Sequence, residues 1–182
     1  MTNFGPLTSP LDDVPDWVHF NGNGQTIDVS LYAGIANNIH LFSDVFGILD
    51  NITFNGSIYS LYLGWSRLVS NNYNIISNLT SNLTISGSMI MNNRETGIVS
   101  NCINNGTLYG GEMNVPINGG IVYSNRGQVY NCINTGSVEG HRIGDIVYGN
   151  REGGIVDGCI NIGSIYFLAL MLIMFQSMAL LI

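Results

Sequence analysis

The chain repeats itself, and the repeat limits what it can fold into. Asn93-Arg94-Glu95-Thr96-Gly97-Ile98-Val99-Ser100-Asn101-Cys102-Ile103-Asn104 aligns without a gap on Asn150-Arg151-Glu152-Gly153-Gly154-Ile155-Val156-Asp157-Gly158-Cys159-Ile160-Asn161. Between them, Gly119 to Val138 restates the unit, with Asn125-Arg126 and Cys132-Ile133-Asn134. Cys102 to Cys132 is 30 residues and Cys132 to Cys159 is 27. Self-similarity at such a period is the mark of a solenoid. Upstream, Asn51 to Ile58 and Asn82 to Met89 carry the same shape: a polar residue, a short alternating apolar run, then Gly, Ser and an apolar residue. The reading is about five turns, from residue 20 to residue 165.

The residue types choose the kind of solenoid. Helical repeats need good helix formers at i, i+3, i+4 and i+7, whereas these units hold Asn, Gly, Ser, Thr, Ile and Val, and the chain has no lysine. Alternating β-branched runs bounded by Gly and Asn read as strands and tight turns. The 23 glycines, with many asparagines, supply positive-φ corners. The expected fold is all-β: a right-handed parallel β-helix of about five coils with two or three short strands per turn, followed by a C-terminal apolar helix. The expected division is an N-terminal segment or cap (1–19), the solenoid (20–164) and a hydrophobic tail (165–182).

Gly119 to Val138 resembles the GLUG-type repeat of surface adhesins, Gly-Gly-(Ile/Leu)-Val-Gly-x-Asn-x-Gly-x-Ile-x-Asn-Cys-x-Asn-x-Gly-x-Val, with Tyr123 where that family has glycine. The flanking units depart further: Asp145 replaces a glycine, and Leu83 and Ile52 replace the cysteine. Phe20 to Ile27 is similar to the Asp-Gly-Asn-Gly-x-Thr-Ile entry that precedes such repeats. The resemblance implies extracellular display and adhesion or scaffolding, and it carries over no catalytic residue.

A formal charge of −7 disfavours nucleic acid and anionic membrane surfaces, which reward clustered Lys and Arg. Residues 1–19 contain neither a basic n-region nor an apolar h-region, so no signal peptide is expected there. Display would then need a longer parent chain or another export route. Asp12, Asp13 and Asp16 read as a polar cap or linker rather than a calcium loop. His19, His40 and His141 are isolated, so no metal site or cofactor is expected.

Three equally spaced cysteines fit no disulfide framework and no zinc pattern. Cys102, Cys132 and Cys159 are expected to stack in adjacent coils as small buried hydrophobes, with a disulfide between two neighbours as the alternative. Arg94, Arg126 and Arg151 each follow an Asn and should form a column. The plain reading is a solvated stripe; the functional one is a site for acidic glycans. Arg126, with no glutamate beside it in sequence, should be the least compensated. Glu95 and Glu152, two rungs apart, raise the alternative of a carbohydrate-active enzyme. Each neighbours an arginine, however, which lowers a carboxyl pKa, so catalysis is not expected.

Tyr59, Tyr62, Trp65 and Tyr73 cluster in the least regular stretch. They read as aromatics buried by a degenerate coil, or as a loop that stacks on sugars. Five Asn-x-Ser/Thr sequons occur, at Asn51, Asn55, Asn78, Asn82 and Asn105, with Asn51 and Asn82 at matching repeat positions. Residues 165–182 hold no charge and favour helix, and they just reach a bilayer span. A membrane segment is expected there, with a helical cap on the last coil as the alternative. The functional expectation is a non-catalytic, adhesin-like or scaffolding repeat protein at the cell surface or secreted, membrane-associated through the tail. Its partners would be glycans or a host or cell-surface protein.

Overall fold

The computed structural model describes residues 7–33, 38–60, 65–109, 117–140 and 142–167. They wind into a parallel β-solenoid of about five turns, and no helix occurs among them. One face begins with three continuous strands, His19–Ala33, Ile48–Ser60 and Ile75–Ile85. Above them it breaks into short segments: Ile98–Ser100, Ile103–Asn104 and Thr107–Tyr109, then Gln128–Tyr130, Ile133–Asn134 and Ser137–Gly140, then Ile155–Asp157, Ile160–Asn161 and Ile165–Phe167. A second face stacks Ile39–Val45, Ser66–Asn72, Ile90–Asn93, Val122–Asn125 and Val147–Asn150. Ile117–Gly119 and Arg142–Gly144 pair as a third, short one. Every pairing is parallel, so each position continues as a column through neighbouring coils.

The columns are the core. Leu49, Ile76, Val99 and Val129 form one, and Leu31, Ile58, Ile85, Leu108 and Val138 another, all essentially closed to water. Each such side chain contributes about 1.5–3 kcal/mol. Ile52, Leu79, Cys102 and Cys132 make a third, which ends at half-buried Cys159. Ile133 N donates to Cys102 O at 2.9 Å and Ile160 N to Cys132 O at 2.9 Å, so the cysteines stack in consecutive coils. All three thiols are free. The expected ladder is present and the disulfide alternative is not.

The corner before that column is made by asparagine. Asn51, Asn78, Asn101 and Asn131 all lie at φ between 51° and 58°, and Gly158 takes the same place at 61°. Asn tolerates this left-handed region better than most residues, because its short amide bonds locally. The corner also corrects the repeat alignment. The partner of Asn51-Ile52 is Asn78-Leu79, not Asn82-Leu83; Asn82 pairs with Asn55. The stretch Asn78-Leu-Thr-Ser-Asn82-Leu-Thr-Ile offers two near-identical frames, and strand pairing selects the first. The five sequons therefore fall on two columns, Asn51/Asn78 and Asn55/Asn82/Asn105.

The stack extends beyond residues 20–164. Leu7 bridges Val29, Leu11 bridges Phe42 and Val14 bridges Val45, which lays the N-terminal segment against the first coil. At the other end Ile165–Phe167, expected to begin a helix, is a strand paired with Val138–Gly140. The rest of the expected helix, 168–182, lies outside the described residues, as does the membrane or cap reading that rests on it. No helix among the described residues is long and apolar enough to cross a membrane.

Candidate functional site

The arginine corner is built on a buried amide ladder. Asn72 Nδ2 donates to Asn93 Oδ1 at 2.8 Å, Asn93 to Asn125 at 2.7 Å, and Asn125 to Asn150 at 2.8 Å. Asn93 also donates to the Gly97 carbonyl, which fixes the turn that follows it, and Asn125 to the Ile155 carbonyl of the next coil. Each arginine comes directly after a ladder residue. Its backbone N donates to the coil beneath: Arg94 to Asn72 O, Arg126 to Asn93 O and Arg151 to Asn125 O, at 2.7–2.9 Å. The backbone column is as expected, but the guanidinium groups part company.

Arg94 turns along the sheet. Its Nη2 donates to Asn71 Oδ1 at 2.6 Å and its guanidinium carbon sits 5.7 Å from the centre of the Tyr73 ring. Tyr73 in turn stacks on Phe46, with centroids 4.7 Å apart and planes 15° from parallel. The same corner thus continues downward as an aromatic stack. Arg126 reaches back one coil to Glu95, Nη1 to Oε1 at 3.3 Å. This corrects the expectation that Arg126 is least compensated: its counter-charge comes from the coil below, where sequence adjacency does not look. Arg151 is exposed, lies over Gly149, and forms no ion pair with the described residues. Arg94 also lacks an ion pair with the described residues, so Arg151 is the member of the column that is both exposed and without one.

The two acids of the corner, Glu95 and Glu152, are both exposed. A hydrogen bond from its own backbone, and then Arg126, hold the Glu95 carboxyl below its ordinary range, against the opposing effect of burial. That is the wrong direction for a proton donor at neutral pH. Among the described residues no three His, Cys, Asp or Glu side chains gather as metal ligands would.

The aromatic cluster also resolves into columns. Tyr59 stacks on Tyr32 at 6.0 Å and leans against Tyr109 at 6.0 Å, while Trp65 meets Tyr123 edge-on at 5.2 Å and Tyr123 stacks on Tyr148 at 5.4 Å. The rings of each column contact one another, and Tyr32, at the end of its column, is exposed. Tyr62 lies outside the described residues.

Sequence reasoning missed the ion pair of His19 with Asp50, 3.6 Å apart, and a juxtaposition of two basic residues. His40 and Arg67 face each other in register on the second sheet, 27 residues apart. That separation equals one coil period and was the signal available.

These features define a parallel β-solenoid of about five turns. Comparisons with protein-family models, with curated proteins and with solved structures give no match.

Proposed function

We propose that this protein is a non-catalytic, adhesin-like scaffold of the GLUG type, right-handed in its winding and displayed outside the cell. In this reading the arginine corner contacts acidic glycans. The observation that carries it is the exposed, unpaired Arg151 beside exposed Arg126, both held on an amide-braced corner. A planar guanidinium on a rigid backbone suits a planar carboxylate. Glu95 acts as a resident competitor for Arg126, so Arg151 leads.

A glycan array with the full chain tests this. Uronate- and sialate-bearing glycans should be retained over neutral ones. Arg151→Gln should weaken retention most, Arg126→Gln less and Arg94→Gln least. Equal loss from all three, or preference for neutral glycans, would return the corner to ordinary surface.

A further inference from the structure

The two ends of the solenoid differ. At the lower end Leu7, Leu11 and Val14 bridge to Val29, Phe42 and Val45, so the N-terminal segment lies against the first coil. At the upper end no described strand lies above Val147–Asn150, Ile155–Asp157, Ile160–Asn161 or Ile165–Phe167. Ile155, Val156, Ile160, Ile162 and Tyr166 are all exposed there. Val156 is 38% exposed, whereas Val129, its partner one coil down, is fully closed. The hydrophobic column runs to an open end.

Polar groups stop at the same level. Each file asparagine below donates its Nδ2 upward: Asn104 to Asn134 at 2.7 Å, Asn134 to Asn161 at 2.8 Å, and Asn125 to Asn150 at 2.8 Å. Asn161 Oδ1 accepts from Asn134 and from Gly163 N, and its Nδ2 has no acceptor among the described residues. Asn150 Nδ2 turns to Gly154 O within its own coil. The backbone follows the same rule. Asn131 N and Val138 N donate upward to Asp157 O and Ser164 O, and Gly158 N and Ile165 N hold those places on the last coil. A sheet edge that also carries apolar side chains is a template for further pairing.

What fits this surface is displayed one coil lower, where the same chemistry is covered by the coil from Arg142 to Phe167. We propose that the open upper coil docks one further coil of the same asparagine-file repeat, carried by another polypeptide and added in parallel register. The interface continues the one inside the molecule. It needs an amide acceptor over Asn150 and over Asn161, small apolar residues over Val156 and Cys159, and carbonyls over Gly158 N and Ile165 N. A second copy of this chain fits badly. Its asparagine-bearing coils are already covered from below, and its lowest rungs offer Val14 and Ile27 where the files need an acceptor. Two upper ends facing each other would set donor against donor. Residues 168–182 contain no asparagine to extend either file. The docking surface does not depend on the acidic-glycan reading.

The test follows Cys159, half-buried on the open coil, by thiol labelling of the full chain and mass spectrometry. The probe is a synthetic peptide of the chain's own Arg142 to Phe167, with Cys159→Ala so that only the protein's thiol reports. Peptide at about ten times its dissociation constant should slow labelling at Cys159 about tenfold. A peptide that also carries Asn150→Ala and Asn161→Ala should need about tenfold more to do the same. Val156→Asp in the full chain, at a partly exposed position that the fold should tolerate, should abolish the protection. If the single coil does not bind, a two-coil probe of residues 117–167 with both cysteines replaced repeats the measurement. Failure of both probes, or equal potency of the native and alanine peptides, would overturn the proposal. Labelling that slows as the chain itself is concentrated would show a second copy on the coil. A Cys159 that stays inert at every dilution, with or without peptide, would show residues 168–182 there. Either result also overturns it.

Discussion

The lower coils and the upper coils fill the same interior positions with opposite chemistry. On the long face one column reads Ile27, Phe54, Ser81, Asn104, Asn134, Asn161 from bottom to top. On the second face another reads Val14, Val45, Asn72, Asn93, Asn125, Asn150. Below, burial of apolar surface fills the space. Above, buried amides donate to one another in unbroken files, Asn104 to Asn134 at 2.7 Å and Asn134 to Asn161 at 2.8 Å. The strands respond to the change. Where the interior is apolar they run continuously from Ile48 to Ser60; where Asn enters, they break into segments of two to four residues. A buried Asn is tolerable because each rung supplies both a donor and an acceptor to the next, which a lone buried amide never has.

The sharpest way to break this comparison is at its apolar end. Phe54→Ala empties a fully closed site and should cost about 3–5 kcal/mol in denaturant unfolding. Loss of under about 1 kcal/mol would mean the lower coils do not depend on packing. At the amide end, Asn125→Ala removes one of several acceptors from Asn93 Nδ2 and takes the donor from Ile155 O and from Asn150. It should cost about 1–3 kcal/mol in all. Asn150→Ala, at an exposed ladder end where water can substitute, should cost much less. Equal costs would show that the file is no more than the sum of surface contacts.

Acid provides a gentler probe, because carboxylates anchor the lower coils. Burial would raise the Asp50 carboxyl, but hydrogen bonds from Asn78 and Ser77 and the His19 imidazole outweigh it and hold it below its ordinary value. A depressed carboxyl contributes fully above its unfolded pKa, and the contribution is lost as pH falls through the folded value. Melting temperature should therefore drop below about pH 4, and Asp50→Asn should flatten that part of the curve. The smallest effect concerns the thiols. Burial raises the Cys159 thiol, and Cys132 is driven further up, first by its contact with Cys102 and then by burial. Native protein should label slowly, at Cys159 before Cys132, when tracked by mass spectrometry. Earlier labelling at Cys132 would mean that the upper coils open.

Much of the fold was legible because a parallel solenoid writes its contacts into its period. Cys102, Cys132 and Cys159 needed only counting. The role of each asparagine did not follow from its type. Asn101 and Asn104 stand three residues apart in one unit, yet the first turns the corner exposed and the second is buried. Only strand pairing tells a corner Asn from a file Asn, and that is also why Asn82 was placed one frame out. Charges were misjudged for a related reason. Glu95 belongs to Arg126 and His19 to Asp50 across coils, whereas adjacency along the chain shows only local neighbours. The third unit, where Ser81 and Leu83 replace Asn and Gly, carried too little of the motif to fix its own register.

The outer amide files have a direction, and direction makes them vulnerable to time. Asn105 donates to Asn82 at 3.0 Å, Asn82 to Asn55 at 2.8 Å, and Asn55 to the Asp28 carboxylate at 3.4 Å, where an acceptor-only group properly ends the line. Asn55 and Asn105 each precede a glycine, the setting in which a backbone nitrogen most readily attacks the side-chain amide and expels ammonia. Asparagine is thermolabile for this reason. Hydrolysis of the resulting ring at residue 55 would leave a carboxylate facing Asp28 and no donor between them, so one lost amide would turn the end of the file from attraction to repulsion.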